Sequence, residues 1–474
     1  MTWSGIDALG LAAKVRAGEV SAEELLDAAL ERSEAAGALN AVTMIEADAA
    51  RALIRRGLPD GPFTGVPFLL KDLGCEAKAF PSNLGSRLFA GTRYGYDSAI
   101  YERLAASGLV TFGRTTAPEL GIGIATEAAV YGGPTRNPWD LDRTPGGSSG
   151  GAAAAVAAGV VPAAHGSDGG GSVRVPASCC GLFGFKATRA RLPDGPESGE
   201  GWAGMAIDGF LTWTVRDQAA LLDACAGADA GAPYHAPPLG ETFGEAARHD
   251  PKRLRIALCD TTFGGEAIDP ACAAATREAA ALLEALGHQV EPARPRTDER
   301  AMMEAWTRIV ACGTAASVGD RLATLGRELR EGDVEPVVRD ALRVADGISG
   351  ADYVRDLDTI HAFGRAMAAF FERFDVLLTP TLAVPPPRIG ALDHSRPDYV
   401  DFRLGPTGVF AASPFAAAFN ASGQPAASLP LAMHEGLPVG VHLAGRFGED
   451  DVLMSLCAQV ERAASWHDRR PRWT

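Results

Sequence analysis

The chain has 474 residues, 47% of them hydrophobic and 22% charged, with a net charge of −15 and a pI near 5.1. This is ordinary globular composition with ample material for a large core, and the acidic balance argues against nucleic acid or an anionic membrane as the main partner. Eight cysteines without a C-x-x-C pair, in a long chain whose start carries Asp7 and Lys14 within its apolar stretch rather than reading as a secretory leader, predict a cytoplasmic protein with reduced thiols.

In chain order, Ser21-Ala-Glu-Glu24 is a capping-box pattern opening an amphipathic helix. Gly65–Leu70, "GVPFLL", is a short apolar run suited to a buried strand. Ala99–Thr116 reads as a helix, a stop at Gly108 and a strand over Leu109–Gly113. The small-apolar run Ala152–Ala164 is too short to span a membrane and contains Pro162, so it predicts a buried helix followed by a strand. Pro193–Gly201 and Asp229–Pro251 are loop-like. In Asp269–Val290 an aspartate caps, Pro270 opens a helix and Gly287 closes it before another strand. The spacing in "AWTRIVACGTAAS", around Trp306 and Cys312, is helical, with a buried thiol as the default. Phe371–Thr381 reads as helix into buried strand ending at Pro380, and the last strands precede a closing helix over Asp450–Ala464.

Helices and short strands alternate throughout, which predicts an α/β fold. Length alone would suggest roughly three domains. The core-like strands near the C-terminus and the lack of a clean linker favour one domain over residues 1–474 instead.

The chemistry concentrates in Gly146–Arg191, where two glycine-flanked serine clusters surround Ser148 and Ser172. Acyl transfer needs a nucleophile, a base and fixed hydrogen-bond donors for the developing oxyanion. Gly169-Gly170-Gly171 would leave backbone amides bare beside Ser172. For the base, His165 reads as an interior histidine in an apolar approach, and no G-x-S-x-G elbow surrounds Ser172. Lys71 follows "VPFLL", so a buried strand would carry its amine inward, where desolvation lowers a lysine's pKa. No H-E-x-x-H, Cys/His ligand spacing or G-x-x-x-x-G-K-[ST] is present, so neither a metal, a nucleotide nor another cofactor is expected.

"GGSSGG", "GSDGGGSVRVPASCCGLFGFKAT" and the upstream "LLKDLG", with "PTRNPWD" and "NASGQPAASLP", closely resemble the amidase signature family. The resemblance implies a single domain with a central mixed sheet covered by helices on both faces. Its signature core would occupy about 62–215, a helical and loop excursion about 229–345, and a return to the sheet about 371–464. It implies cleavage of amide and related bonds by a serine–cis-serine–lysine triad. Ser172 would be the nucleophile, Ser148 the bridging serine behind a cis peptide after Gly147, and Lys71 the base. The amides of Gly169, Gly170, Gly171 and Ser172 would form the oxyanion hole, with Ser149, Asp168 and Arg174 in support. Ile122, Trp306 and Cys312 are expected to line the acyl pocket.

Several stretches are most similar to bacterial amidases of the 6-aminohexanoate-cyclic-dimer hydrolase type, which implies a small-molecule amide or lactam substrate. A carbamate- or ester-cleaving enzyme and an amidotransferase A-type subunit remain alternatives, and by resemblance alone a homodimer is a permitted assembly. The chain departs from the family pattern at Gly169, where a larger side chain such as threonine or isoleucine is usual, and at Ala187 and Ala190, which replace proline and glycine. These changes are expected to loosen the loops more than to alter the triad.

Overall fold

The computed structural model describes residues 5–473. Among them, one sheet takes strands from nearly the whole length of the chain: β1 (Val42–Thr43), β2 (Pro67–Lys71), β3 (Val110–Thr115), β4 (Ala163–Asp168), β5 (Phe183–Lys186), β6 (Ile207–Thr212), β7 (Arg255–Leu258), β8 (Gln289–Pro292), β9 (Val376–Pro380), β10 (Ala426–His434) and β11 (Leu437–Gly445). Their order is β1-β3-β2-β4-β6-β5-β10-β11-β9-β7-β8. The sheet is mixed. β2 runs parallel to β3 and β4, β9-β7-β8 are parallel, and the strands between them pair antiparallel.

Successive side chains of a strand point to opposite faces, and both faces here are covered. Val376 and Leu378 belong to one apolar cluster and Leu377 to the other; the same split separates Ala427 from Ala426, Leu443 from Ala444 and Ile256 from Ala257. The first cluster includes helices Gly150–Ala157, Val215–Cys225 and Asp450–Ala463; the second includes Glu299–Leu325, Gly350–Phe371 and Ala416–Ser422. Each fully buried leucine, valine or phenylalanine contributes about 1.5–3 kcal/mol.

Local signals recur where the sequence placed them. Ser21 Oγ accepts from the Glu24 amide at 3.1 Å, while Glu24 accepts from the Ser21 amide at 2.8 Å. Asp269 caps Pro270–Ala285 through the Ala271 amide at 2.8 Å. Residues 229–345, expected as an excursion of helices and loops, also supply β7 to the sheet, together with β8 where a strand was expected after Gly287. The loop-like Asp229–Pro251 stretch holds a short helix, Phe243–Ala246, with its own Thr242/Glu245 capping box. β7 and β8 are four residues each with partly exposed side chains, so their apolar alternation is weak. Among the described residues no helix is long and apolar enough to cross a membrane. All eight cysteines are free, and all but Cys312 are buried.

Candidate active site

Two neighbouring strands deliver the polar groups. β2 is buried throughout and ends on Lys71, whose side chain is fully enclosed. Its Nζ lies 2.7 Å from Ser148 Oγ and 2.9 Å from Ser167 Oγ. Burial pulls the amine down from its ordinary value to about 7, against the opposing pull of the Asp168 and Asp208 charges. The amine is therefore available in its neutral form near neutral pH. His165 is an interior histidine: its Nδ1 accepts from the Lys71 amide at 3.2 Å and its Nε2 faces Asp208 at 2.9 Å.

Ser148 follows a cis Gly147–Ser148 peptide and precedes helix Gly150–Ala157, every residue of which is buried. A Cβ on Gly151 would fall 2.6 Å from Thr116 O, so glycine is required where this helix meets the chain after β3. Ser149 joins the two serine clusters: its amide donates to Ser172 O at 3.1 Å, and its hydroxyl donates to Ser167 O and accepts from the Ser167 amide, each at 3.2 Å.

β4 ends at Asp168, and the Gly169–Ser172 loop follows. The Asp168 carboxylate is buried against Arg174, 2.8 Å away, and also accepts from the amides of Gly171 at 2.7 Å and Val173 at 3.1 Å. Burial alone would raise its pKa; the Arg174 charge and hydrogen bonds, helped by Asn420, hold it well below the usual carboxylate range. This alters one expectation. The Gly171 amide, expected among the oxyanion donors, already has Asp168 as its acceptor, because the carboxylate folds back over the turn. Among the described residues the amides of Gly169, Gly170 and Ser172 have no such acceptor. Trp306 Nε1 donates to Gly169 O at 3.2 Å, and in a trans peptide this turns the Gly170 N–H away from Trp306. The loop that Gly169 was expected to loosen is held from both sides.

Ser148, Ser167, Gly169 and Ser172 open onto one cleft of about 320 Å³. Leu73, Leu84, Leu120, Trp202, Gly313 and Thr314 form part of its wall, and Glu76, Asp194 and Asp208 lie in its lining. The expected pocket residues lie elsewhere. Ile122 is in the core, Trp306 stands behind the glycine loop, and Cys312 precedes the lining Gly313 on helix Glu299–Leu325. Adjacent helical positions are turned about 100° apart, so a helical reading could not say which of them faces the cleft. Among the described residues no group of His, Cys, Asp or Glu is arranged to hold a metal ion.

Several residues of the site carried no assignment from sequence. Ser167 was legible in principle, since it is the last residue but one of the strand-like run before the glycines. Asn420 lies in a quoted motif; its Nδ2 donates to Asp168 O at 2.8 Å and to Met205 O at 3.0 Å. Arg114, buried under the turn after β2, donates to Lys71 O at 2.6 Å and to the carbonyls of Gly74, Cys75 and Phe80. No local pattern marks it.

Known proteins match this chain over nearly its full length. The Amidase family profile matches residues 24–454. A 6-aminohexanoate-cyclic-dimer hydrolase of Paenarthrobacter ureafaciens is 37% identical over 98% of this chain and 96% of its own length. The solved structure of 6-aminohexanoate cyclic dimer hydrolase superposes with a TM-score of 0.93 at 36% identity, covering 100% of both chains. A bacterial aryl acylamidase of the amidase signature family superposes at 0.87 with 30% identity, over 97% of this chain and 96% of that one. With the profile, the relatives and the buried lysine–serine geometry in agreement, the chain belongs to the amidase family and is a hydrolase that cleaves amide carbon–nitrogen bonds.

Proposed function

We propose that Ser172 is the acylated nucleophile, with Ser148 as proton relay and Lys71 as base. The observation that carries this reading is the buried Lys71 amine, 2.7 Å from the Oγ of Ser148, which lines the same cleft as Ser172. Neutral Lys71 takes the Ser148 proton as Ser148 takes that of Ser172, and Ser172 Oγ bonds to the substrate carbonyl carbon. The amides of Gly169, Gly170 and Ser172 receive the oxyanion. The carbon–nitrogen bond then breaks, and the proton returns from Lys71 through Ser148 to the departing nitrogen. Water, deprotonated along the same path, releases the acid and restores Ser172.

The substrate is a small-molecule amide. The similarity to 6-aminohexanoate-cyclic-dimer hydrolases makes that cyclic diamide the first substrate to test. Asp168, Arg174 and Ser149 hold the loop and take no proton in the cycle. The acidic net charge of −15 favours a small molecule over nucleic acid as partner, and the free cysteines suit the cytoplasm. A serine-directed fluorophosphonate should label Ser172, mapped by mass spectrometry, and abolish amide turnover. Labelling of another serine with loss of activity would overturn the assignment. Cyclic dimer, linear amide, anilide, carbamate and ester assayed together give the substrate class.

A further inference from the structure

The glycine loop leaves a space that a distant segment fills. A Cβ built on Gly169 would lie 2.5 Å from Cζ3 and 2.7 Å from Cε3 of Trp202, closer than real Cβ atoms come. Gly313 makes a matching recess on helix Glu299–Leu325: a Cβ there would lie 2.9 Å from Trp202 Cδ1. The indole thus lies between two glycines from separate parts of the chain, edge to face with Trp306 at 5.7 Å and 77°. Its outer edge reaches toward the reacting groups, because the Cβ point above Gly121 is 3.6 Å from Ser148 Oγ and 3.9 Å from Trp202 Cη2.

The ring is held firmly in this position. Trp202 and Ala203 have φ of +47° and +55°, a region that L residues seldom occupy, and the turn points the side chain inward. Arg189 Nε donates to Gly204 O at 2.7 Å and ties the turn to the carbonyls of Asn420 and Ala421. Asn420 Nδ2 binds both Met205 O and Asp168 O. One amide side chain therefore fixes the Trp202 turn relative to the loop carrying Ser172.

We propose that Trp202 is the specificity-determining residue of the cleft, a rigid flat wall that admits an unbranched chain on the scissile carbonyl and rejects a branch on the carbon bonded to it. This rests on the Ser172 reading of the site. A straight aliphatic chain can lie along the indole face and bury area against it. A methyl branch on the first carbon needs volume the indole already occupies, and neither glycine can recede because each is backbone. One extra carbon in an apolar pocket changes selectivity by about 10- to 200-fold.

The test compares acetyl, hexanoyl and 2-methylhexanoyl anilides on the intact protein, Trp202→Ala, Trp202→Phe and, in parallel, Ser172→Ala. The intact protein should prefer hexanoyl over 2-methylhexanoyl by about tenfold or more in kcat/KM. Trp202→Ala should reduce that preference by about tenfold, mainly by raising the branched substrate relative to the hexanoyl and acetyl anilides. Trp202→Phe keeps a ring in the recess, guards against a misfolded alanine variant, and should shift the ratio in the same direction by about threefold. An intact protein that does not discriminate would overturn the proposal, as would variants that change all three substrates by one common factor. Ser172→Ala separates the two readings. Turnover surviving in that variant defeats the nucleophile assignment, while the straight-to-branched ratio still reports on Trp202.

Discussion

The Lys71 amine touches two hydroxyls, Ser148 Oγ at 2.7 Å and Ser167 Oγ at 2.9 Å, while the carboxylates of Asp168 and Asp208 act on it only as more distant charges. An amine buried among hydroxyls loses its proton more easily than one paired with a carboxylate.

The first prediction is the pH profile. The reactive amine is neutral and its pKa is pulled to about 7. kcat/KM should therefore fall about tenfold per pH unit below that value and level off above it. Lys71→Ala should lower kcat by about 10²- to 10⁴-fold and abolish this limb. A pH–rate profile of both proteins checks it.

Lys186 provides a stability test away from the proposed proton path. It is fully buried, among the described residues its amine donates only to Ala187 O at 2.8 Å, and burial pulls its pKa to about 7. Its folded pKa lies below the unfolded one. The cost of burying it is therefore complete below about pH 7 and fades as pH rises toward about 10.4. Lys186→Met should raise the melting temperature at pH 6 and do so much less at pH 10, a difference on the order of 4 kcal/mol. Melting curves at the two pH values decide it.

Arg174→Met should destabilise strongly. It leaves Asp168 buried beside the glycine loop without its 2.8 Å partner, a loss of about 3–5 kcal/mol. The folded pKa of Asp168 is depressed, so its contribution is present above the ordinary carboxylate range and is lost as pH falls through that range and below. The gap in melting temperature between intact protein and variant should narrow in acid.

Trp306→Phe removes the 3.2 Å hydrogen bond to Gly169 O while keeping a ring in place. Because that bond orients the glycine peptide, kcat should fall about tenfold, equivalent to about 1.4 kcal/mol, with KM little changed. Steady-state kinetics with a chain-length series would show a uniform loss.

Ala190 departs from the glycine usual in the family pattern and sits at φ +61°. A left-handed L residue costs about 1–2 kcal/mol, part of which glycine returns as chain entropy. Ala190→Gly should stabilise by about 0.5–1 kcal/mol. Denaturant unfolding monitors it, and an unchanged midpoint would contradict the strain argument.

Local order set much of this protein without help from the fold. The capping residues Ser21 and Asp269, the buried run ending in Lys71 and the glycine-serine clusters are readable because their information lies within a few neighbouring residues. Apolar flanks and bare glycines pointed to Lys71 and Ser172, because they are what a buried amine and exposed amides require, while Ser148 entered as bridging serine through the resemblance to the amidase signature family.

Contacts between distant segments decided the rest. β8 falls where a strand was expected after Gly287, whereas β7 was missed because a four-residue strand carries little alternation. Gly171 was misplaced because only the folded turn shows its amide bound to Asp168. Asn420, Arg114 and Trp202 reach the site from segments far away in the chain, and no spacing rule links them to it. Residue type and short-range pattern state which groups can do the chemistry. Which face of a helix meets the cleft, which amide remains free and which ring fills the space beside Gly169 depend on packing in three dimensions.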